Sequence, residues 1–262
     1  MPEKRIKAQI RRRFSAAVPV YDRWAAAQGQ AAGYLLNLLP EKRFGRVLDI
    51  GCGTGLLVAG LLEAGRAGAV TGIDFAPNMV AACRRRWPEH RFVCADAEEF
   101  GPSSRYDLIL SNFTFQWLEN IPGAVAKYFS CLAPGGVLAL AVPVSGSLRE
   151  LRTSALAANG KPLHLLDFPD RNVLESAFQS VAGCPYLREL REVTAWFDTP
   201  LASLRSLKGI GASFGGGEVY TVAQMRRLLQ EYEKAFAVSG LGCPVSYRVW
   251  FGVAEKTAAA ER

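Results

Sequence analysis

The chain has 262 residues, half of them hydrophobic and 21% charged, so it can bury a large core and is not a disordered segment. Its 31 Lys and Arg against 24 Asp and Glu leave a formal charge of +7, which raises nucleic acid as a partner. No apolar run approaches the roughly 18 residues of a membrane-spanning helix. The longest candidate, around Ala133 to Val144, is short and broken by Pro134, Gly135 and Gly136.

The first residues, MPEKRIKAQIRRRF, are basic but lack an apolar centre and a small-residue cleavage site, so they are not read as a secretory signal. Lys4, Arg5, Lys7, Arg11, Arg12 and Arg13 against Glu3 put +5 into residues 1–13, leaving +2 for the other 249. A nucleic-acid footprint is usually a basic face on a folded domain, not a terminal arm. Tyr21 to Leu39, rich in Ala and Leu, reads as a helix ending at Pro40. From 46 to 142 the pattern alternates. RVLDIG (46–51), AVTGID (69–74), RFVCAD (91–96), YDLILSN (106–112) and GVLALAV (136–142) read as five strands, near-continuously apolar as parallel strands covered on both faces are. Helical stretches at about 54–64, 76–86 and 120–131 lie between them, which predicts an α/β doubly wound parallel sheet.

After the fifth strand the rhythm changes. Residues 147–160 and 170–183 read as helices, with a turn-like NGKP at 159–162. A strand near 190–197, a helix at 200–210, a Gly-rich loop at 213–218, a long helix at 221–238 and a last strand at 245–256 follow. The polar tail 257–262 is expected to fray. The cysteines, Cys52, Cys83, Cys94, Cys131, Cys184 and Cys243, form no C-x-x-C pair, and His90 and His164 cannot complete a zinc-ligand spacing. Reduced thiols in a cytoplasmic protein are the expectation, with no metal.

Val47-Leu48-Asp49-Ile50-Gly51-Cys52-Gly53-Thr54-Gly55 is the most informative stretch. A strand running into G-x-G-x-G makes a tight turn whose bare backbone can approach a ligand, at the carboxyl edge where such sheets bind. The dinucleotide pattern G-x-G-x-x-G needs a glycine or small residue at 56, which is Leu56. Asp74 closes the second strand, where a carboxylate can accept both hydroxyls of a ribose or cap the next helix. Asp96 closes the third. An acid or glycine at one edge of three consecutive strands argues for a site. Cys52, within the turn, reads as a small buried residue and not a nucleophile.

LDIGCGTG, GIDFAPNMV, ADAEEF and LAPGGVLAL resemble the cofactor motifs and strand-five signature of the class I S-adenosylmethionine-dependent methyltransferases. The resemblance implies a Rossmann-like fold: a mostly parallel seven-stranded sheet with helices on both faces and a helical cap after strand five. It implies S-adenosyl-L-methionine as cofactor. Asp49 and the turn Gly51, Cys52 and Gly53 would hold its methionyl part, Asp74 its ribose, and Asp96 with Ala97 its adenine, with Phe75 and Met79 nearby.

The flanks narrow the match. Phe14-Ser15-Ala16-Ala17 with Tyr21-Asp22 and Gln28, Ser111-Asn112 with Gln116-Trp117, and Gly146-Ser147-Leu148 are similar to the malonyl-[acyl-carrier protein] O-methyltransferase family. Most specific is Trp196-Phe197 leading to Leu204-Arg205-Ser206-Leu207-Lys208-Gly209-Ile210-Gly211-Ala212. The loop after Ala212 departs from that pattern, and related sequences need not be basic at Arg149. The resemblance implies methyl transfer to the free carboxylate of a malonyl thioester on acyl-carrier protein or coenzyme A, the step that primes pimeloyl and biotin synthesis.

In that scheme residues 1–40 are an arm and lid helix, 41–144 the cofactor core, 145–187 a cap insertion, and 188–262 the rest of sheet and cap. Tyr21 is the expected catalytic residue, covering the cofactor with Gln28. Asn112 and Trp117 would line the pocket, and Arg149, Arg205 and Lys208 are candidates for holding the malonyl carboxylate. Arg84-Arg85-Arg86, Arg188 with Arg191, and Arg226-Arg227 are options for docking an acidic carrier. The chain is expected to act as a monomer, without nucleic acid or membrane.

Other readings stay open: a methyltransferase for a quinone or another small carboxylic acid, a nucleic-acid methyltransferase, an NAD oxidoreductase, or an inactive binding scaffold. Against nucleic acid, Ser111-Asn112-Phe113-Thr114 stands where amino-group methylators carry Asn/Asp-Pro-Pro-aromatic, and no Pro-Cys pair occurs.

Overall fold

The computed structural model describes residues 2–101, 104–163, 166–182, 186–210 and 220–257. In chain order its elements are α1 (Pro2–Ala17), α2 (Tyr21–Trp24), α3 (Ala26–Asn37), β1 (Phe44–Ile50), α4 (Leu56–Glu63), β2 (Ala67–Asp74), α5 (Pro77–Arg86) and β3 (Arg91–Cys94). There follow β4 (Tyr106–Asn112), α6 (Ile121–Ser130), β5 (Leu132–Pro143), α7 (Arg149–Asn159), α8 (Arg171–Ala182), β6 (Leu187–Phe197), α9 (Pro200–Gly209), α10 (Val222–Phe236) and β7 (Cys243–Glu255). His164, Cys184, Gly211, Ala212, the Gly-rich loop 213–218 and tail residues 258–262 lie outside the described residues.

The strands form one seven-stranded sheet in the order β3-β2-β1-β4-β5-β7-β6. The pairs β1–β2, β1–β4, β2–β3 and β4–β5 are parallel, and β5–β7 is antiparallel. Val47 and Leu48 in β1, Leu108 and Ile109 in β4, and Leu138 and Ala139 in β5 are all buried. Successive strand residues point to opposite faces, so burial of both neighbours means both faces are covered. The chain leaves β1 toward β2 on one side and returns through β4 on the other. That reversal opens a crevice beyond the carboxyl ends of β1 and β4.

Two compact units divide the chain: Gln28–Val144, Pro169–Arg191 and Val249–Arg262 make the larger, and Met1–Ala27, Ser145–Phe168 and Glu192–Arg248 the smaller. In the larger unit Ile50, Ile109, Leu138, Leu140 and Val142 pack with Val125, Tyr128 and Phe129 of α6 and Leu174, Ala177 and Phe178 of α8. Phe178 meets Trp250 edge to face at 4.9 Å between ring centres. Each buried Val, Leu, Ile or Phe side chain among them adds about 1.5–3 kcal/mol by leaving water. In the smaller unit α7 packs on α10, and Tyr232 and Tyr247 are buried.

The expected elements recur with four differences. Residues 2–17, for which the sequence suggested no element, form α1. The helix expected over 21–39 is two, parted at Ala25, where φ −89° and ψ 30° leave the helical region. β3 stops at Cys94, because the Asp96 side chain takes the Glu98 N–H at 2.9 Å and starts a turn. β5 begins at Leu132, since Tyr106 pairs with Leu132 but Leu108 with Val137, a bulge that absorbs Gly135 and Gly136. Among the described residues no helix is long and apolar enough to cross a membrane.

Candidate active site

At the carboxyl edge of the larger unit, the turn after β1 is pinned to β2. The N–H groups of Gly51 and Cys52 both donate to the Ile73 carbonyl, at 2.8 and 2.9 Å. Three glycines there have positive φ: Gly51 at 70°, Gly53 at 53° and Gly55 at 89°. Their surroundings differ. A Cβ on Gly51 would lie 2.0 Å from Thr114 Oγ1, and one on Gly55 would lie 2.3 Å from the Trp87 ring. A Cβ on Gly53 would meet nothing within 4 Å. Gly51 and Gly55 are therefore dictated by packing, while Gly53 presents bare backbone to open space.

Two buried carboxylates flank this turn. Asp49 is 2% exposed, and neither of its oxygens has a hydrogen-bond partner. Burial, with Asp74 adding to it, pushes its carboxyl up to about 8. Asp74 accepts from Gly53 N–H at 3.0 Å through Oδ2 and from Ala76 N–H at 2.8 Å through Oδ1. Burial pushes its carboxyl up to about 6, against the pull of those two donors. Each Asp74 oxygen keeps a second lone pair. Asp74 thus braces the turn before α5, and a ribose diol could still donate to it.

At the end of β3, Asp96 is half-buried and Ala97 buried, in a turn tied back by Ala95 N–H to the Asp74 carbonyl at 3.0 Å. Phe75, next to Asp74 in the chain, is half-buried. Met79 is fully buried on α5, so it supports the floor and offers no surface. At the end of β4, Asn112 donates to the Gln28 carbonyl at 3.0 Å, and its own Oδ1 is buried without a partner. Gln28 itself is buried. Phe113 is forced to φ 54°, unusual for a bulky residue and a mark of functional turns. Trp117 ends a short 3-10 turn and is half-buried. The Cys52 thiol is hydrogen-bonded to Cys83 and buried, which pushes it well above its ordinary range and keeps it protonated.

These groups fit the cofactor that the family resemblance implies. Two orphaned carboxylate oxygens on Asp49 call for a cationic or hydrogen-bond-donating ligand. The open face of Gly53 admits close approach, and Asp74 suits a diol. Thr114, Lys127 and Tyr128 also shape the site and carry no sequence motif. Thr114 fills the space that Gly51 leaves, and the other two bind the turn after β3.

The smaller unit holds Tyr21, Arg149, Arg205 and Lys208. Tyr21 opens α2, half-buried, near Tyr247. Arg149 is already paired, with Glu192 at 3.1 Å and Glu150 at 3.4 Å. Arg205 and Lys208, one turn apart on α9, are exposed, whereas Leu204 and Leu207 are buried. The glycine of Lys208-Gly209 has a plain reason: a Cβ there would lie 2.3 Å from the Trp24 ring, which also packs on Phe197. Of the basic clusters, Arg84 is committed to the Phe92 carbonyl, Arg188 pairs with Glu175 and Arg191 with Glu189. Arg85 and Arg226 are exposed.

A family profile described as a methyltransferase domain matches residues 47–136. The malonyl-[acyl-carrier protein] O-methyltransferase of Enterobacter lignolyticus is 34% identical over 250 residues, covering 94% of this chain and 96% of that protein. The protein of the same name from Salmonella typhimurium is 31% identical over 255 residues, covering 95% and 98%. Among solved structures, the YcgJ protein from Bacillus subtilis superposes with a TM-score of 0.60 at 14% identity, covering 88% of this chain and 99% of that one. That likeness is one of fold.

Proposed function

The chain belongs to the malonyl-[acyl-carrier protein] O-methyltransferase family of class I methyltransferases, and from that premise we propose that it methylates the free carboxylate of a malonyl thioester carried by acyl-carrier protein. The product is the malonyl methyl ester that primes pimeloyl and biotin synthesis. One observation carries the step from methyltransferase to this substrate. The similarity extends over 94–95% of the chain, far beyond residues 47–136 that match the methyltransferase-domain profile.

S-adenosyl-L-methionine, when bound, supplies an electrophilic methyl group on a cationic sulfonium. Asp49 and the bare Gly53 backbone would hold its amino-acid end, Asp74 its ribose, and the Asp96–Ala97 turn its base. A malonyl carboxylate is already ionised near neutrality, its reference pKa lying about three units below. No general base is required, so the protein's work is alignment and exclusion of water. We assign Tyr21 the role of covering residue, and Arg149, Arg205 and Lys208 are the candidates for the substrate carboxylate.

The test is transfer of labelled methyl groups to malonyl-acyl-carrier protein, with malonyl-coenzyme A and a quinone precursor in parallel. Transfer to the quinone precursor alone would overturn the reading. Calorimetry with S-adenosylhomocysteine and with NAD tests the cofactor separately.

A further inference from the structure

The turn after β3 is locked to helix α6 from both sides. The N–H groups of Glu99 and Phe100 fold back onto the Asp96 carbonyl at 3.1 and 2.8 Å, and Asp96 Oδ1 takes the Glu98 N–H. This tight turn brings the carbonyls of Ala97, Glu98 and Phe100 together around one side chain of α6. The Lys127 ammonium donates to all three, at 2.7, 2.9 and 3.1 Å, using all of its hydrogens. Tyr128 adds a hydroxyl to the Ala97 carbonyl at 2.7 Å. In return, Glu98 Oε1 accepts the N–H groups of Glu119 and Asn120, at 3.0 and 2.9 Å, just before α6 begins.

We propose that Lys127 is a positioning residue for nucleobase recognition: by gathering three carbonyls of one turn it sets the direction in which Asp96 and Ala97 meet the base. The proposal rests on the reading of Asp96 and Ala97 as the adenine subsite. A compact ammonium with three diverging donors suits three converging carbonyls, whereas the planar fork of arginine does not. Burial holds the Lys127 pKa below its usual value, in keeping with a half-buried ammonium that depends on those carbonyls. The same interlock fixes Glu119 and Asn120, two and three residues after Trp117.

A role confined to stability would weaken every ligand alike. Positioning of the turn makes the loss specific to the base. The probes are S-adenosylhomocysteine and S-inosylhomocysteine, which differ where a carboxylate can accept from an exocyclic amine but not from an oxo group. Calorimetry on the full chain is expected to show wild type preferring the adenine ligand by at least about tenfold. Lys127→Ala should lose most of that preference through weaker adenine binding, with the inosine ligand little changed. Added ethylammonium should restore the preference, and Lys127→Arg should not.

An unchanged preference in Lys127→Ala, or an equal loss of both ligands, overturns the proposal. If Lys127→Ala fails to fold, Lys127→Arg decides, because full preference in that variant also overturns it. If wild type itself does not discriminate, the adenine assignment of Asp96 and Ala97 falls first and the proposal with it.

Discussion

Gly53 donates its backbone N–H to the Asp74 carboxylate at 3.0 Å, so the glycine turn after β1 and the acid ending β2 form one device. Asp49 stands beside it with no donor of its own. Both carboxyls are held above their usual value of 3.8, Asp49 at about 8 and Asp74 at about 6. An acid whose pKa is higher in the folded state binds more protons folded than unfolded. Its contribution to stability is complete below the unfolded value and is lost as pH rises through the folded one. The ligand-free protein should therefore lose stability between about pH 4 and pH 8. Asp49→Asn should flatten that slope and raise stability at pH 8 by about 1–2 kcal/mol, while weakening S-adenosylhomocysteine at least tenfold. Urea melts across this range check it, and an unchanged slope in the variant would refute the assignment.

A cationic ligand held by Asp49 favours its ionised form. Binding of S-adenosylmethionine at pH 7 should then release protons, up to about one per site. Calorimetry in phosphate and in Tris reads this directly, because released protons make the apparent enthalpy depend on the buffer. Equal enthalpies, once dilution is subtracted, would mean that Asp49 does not titrate on binding.

The three turn glycines should separate by function. Gly51→Ala and Gly55→Ala combine left-handed backbone with contacts of 2.0 and 2.3 Å, so both should destabilise the fold by several kcal/mol. Gly53→Ala faces open space and should cost only about 1–2 kcal/mol of backbone strain. Its methyl would nevertheless stand where a ligand must approach, and S-adenosylhomocysteine binding should be lost in a folded protein. Thermal melts with and without ligand distinguish the three. Normal binding by Gly53→Ala would place the ligand elsewhere.

This contrast also shows what the sequence could reveal. β1, β2 and β4 were legible because strands covered on both faces are apolar at successive positions, and Asp49, Asp74 and Asn112 fall at their ends. Which of the turn glycines are fixed by packing was not legible, since Thr114 and Trp87 become neighbours of Gly51 and Gly55 only after folding. Lys127 was hidden for the same reason, its nearest partner carbonyl lying 27 residues away on Phe100. Helix α1 escaped because its apolar positions are sparse among basic ones. Extending β3 to Asp96 followed apolar patterning, but a side chain that bonds the backbone two residues on favours a turn over a strand.

Docking of an acidic carrier should depend on cations not already committed. Arg84, Arg188 and Arg191 serve a carbonyl or an acid within the fold, whereas Arg85 and Arg226 are exposed. Arg85→Glu and Arg226→Glu should leave stability within about 0.5 kcal/mol. The variant on the docking face should raise KM for malonyl-acyl-carrier protein severalfold while leaving malonyl-coenzyme A unaffected, and more so at low salt. Identical responses of the two substrates would exclude that cluster.

Helix α9 allows packing and substrate roles to be separated within one turn. Gly209 touches the Trp24 ring closely enough that a methyl would sit 2.3 Å from it. Alanine is the better helix former by about 1 kcal/mol, yet overpacking costs about 1–3 kcal/mol, so Gly209→Ala should be destabilising. Pairing it with Trp24→Leu should recover part of the loss, a coupling that a double-mutant cycle measures. Arg205 and Lys208 on the same helix are exposed, so their alanine variants should melt like wild type. Any fall in methyl transfer by those variants then reports on substrate. If one of them holds the malonyl carboxylate, its loss should cost about 10- to 100-fold in kcat/KM, and its exchange between Arg and Lys should not fully compensate. Wild-type kinetics in both would leave Arg149 as the remaining candidate and require it to exchange Glu192 for the substrate carboxylate.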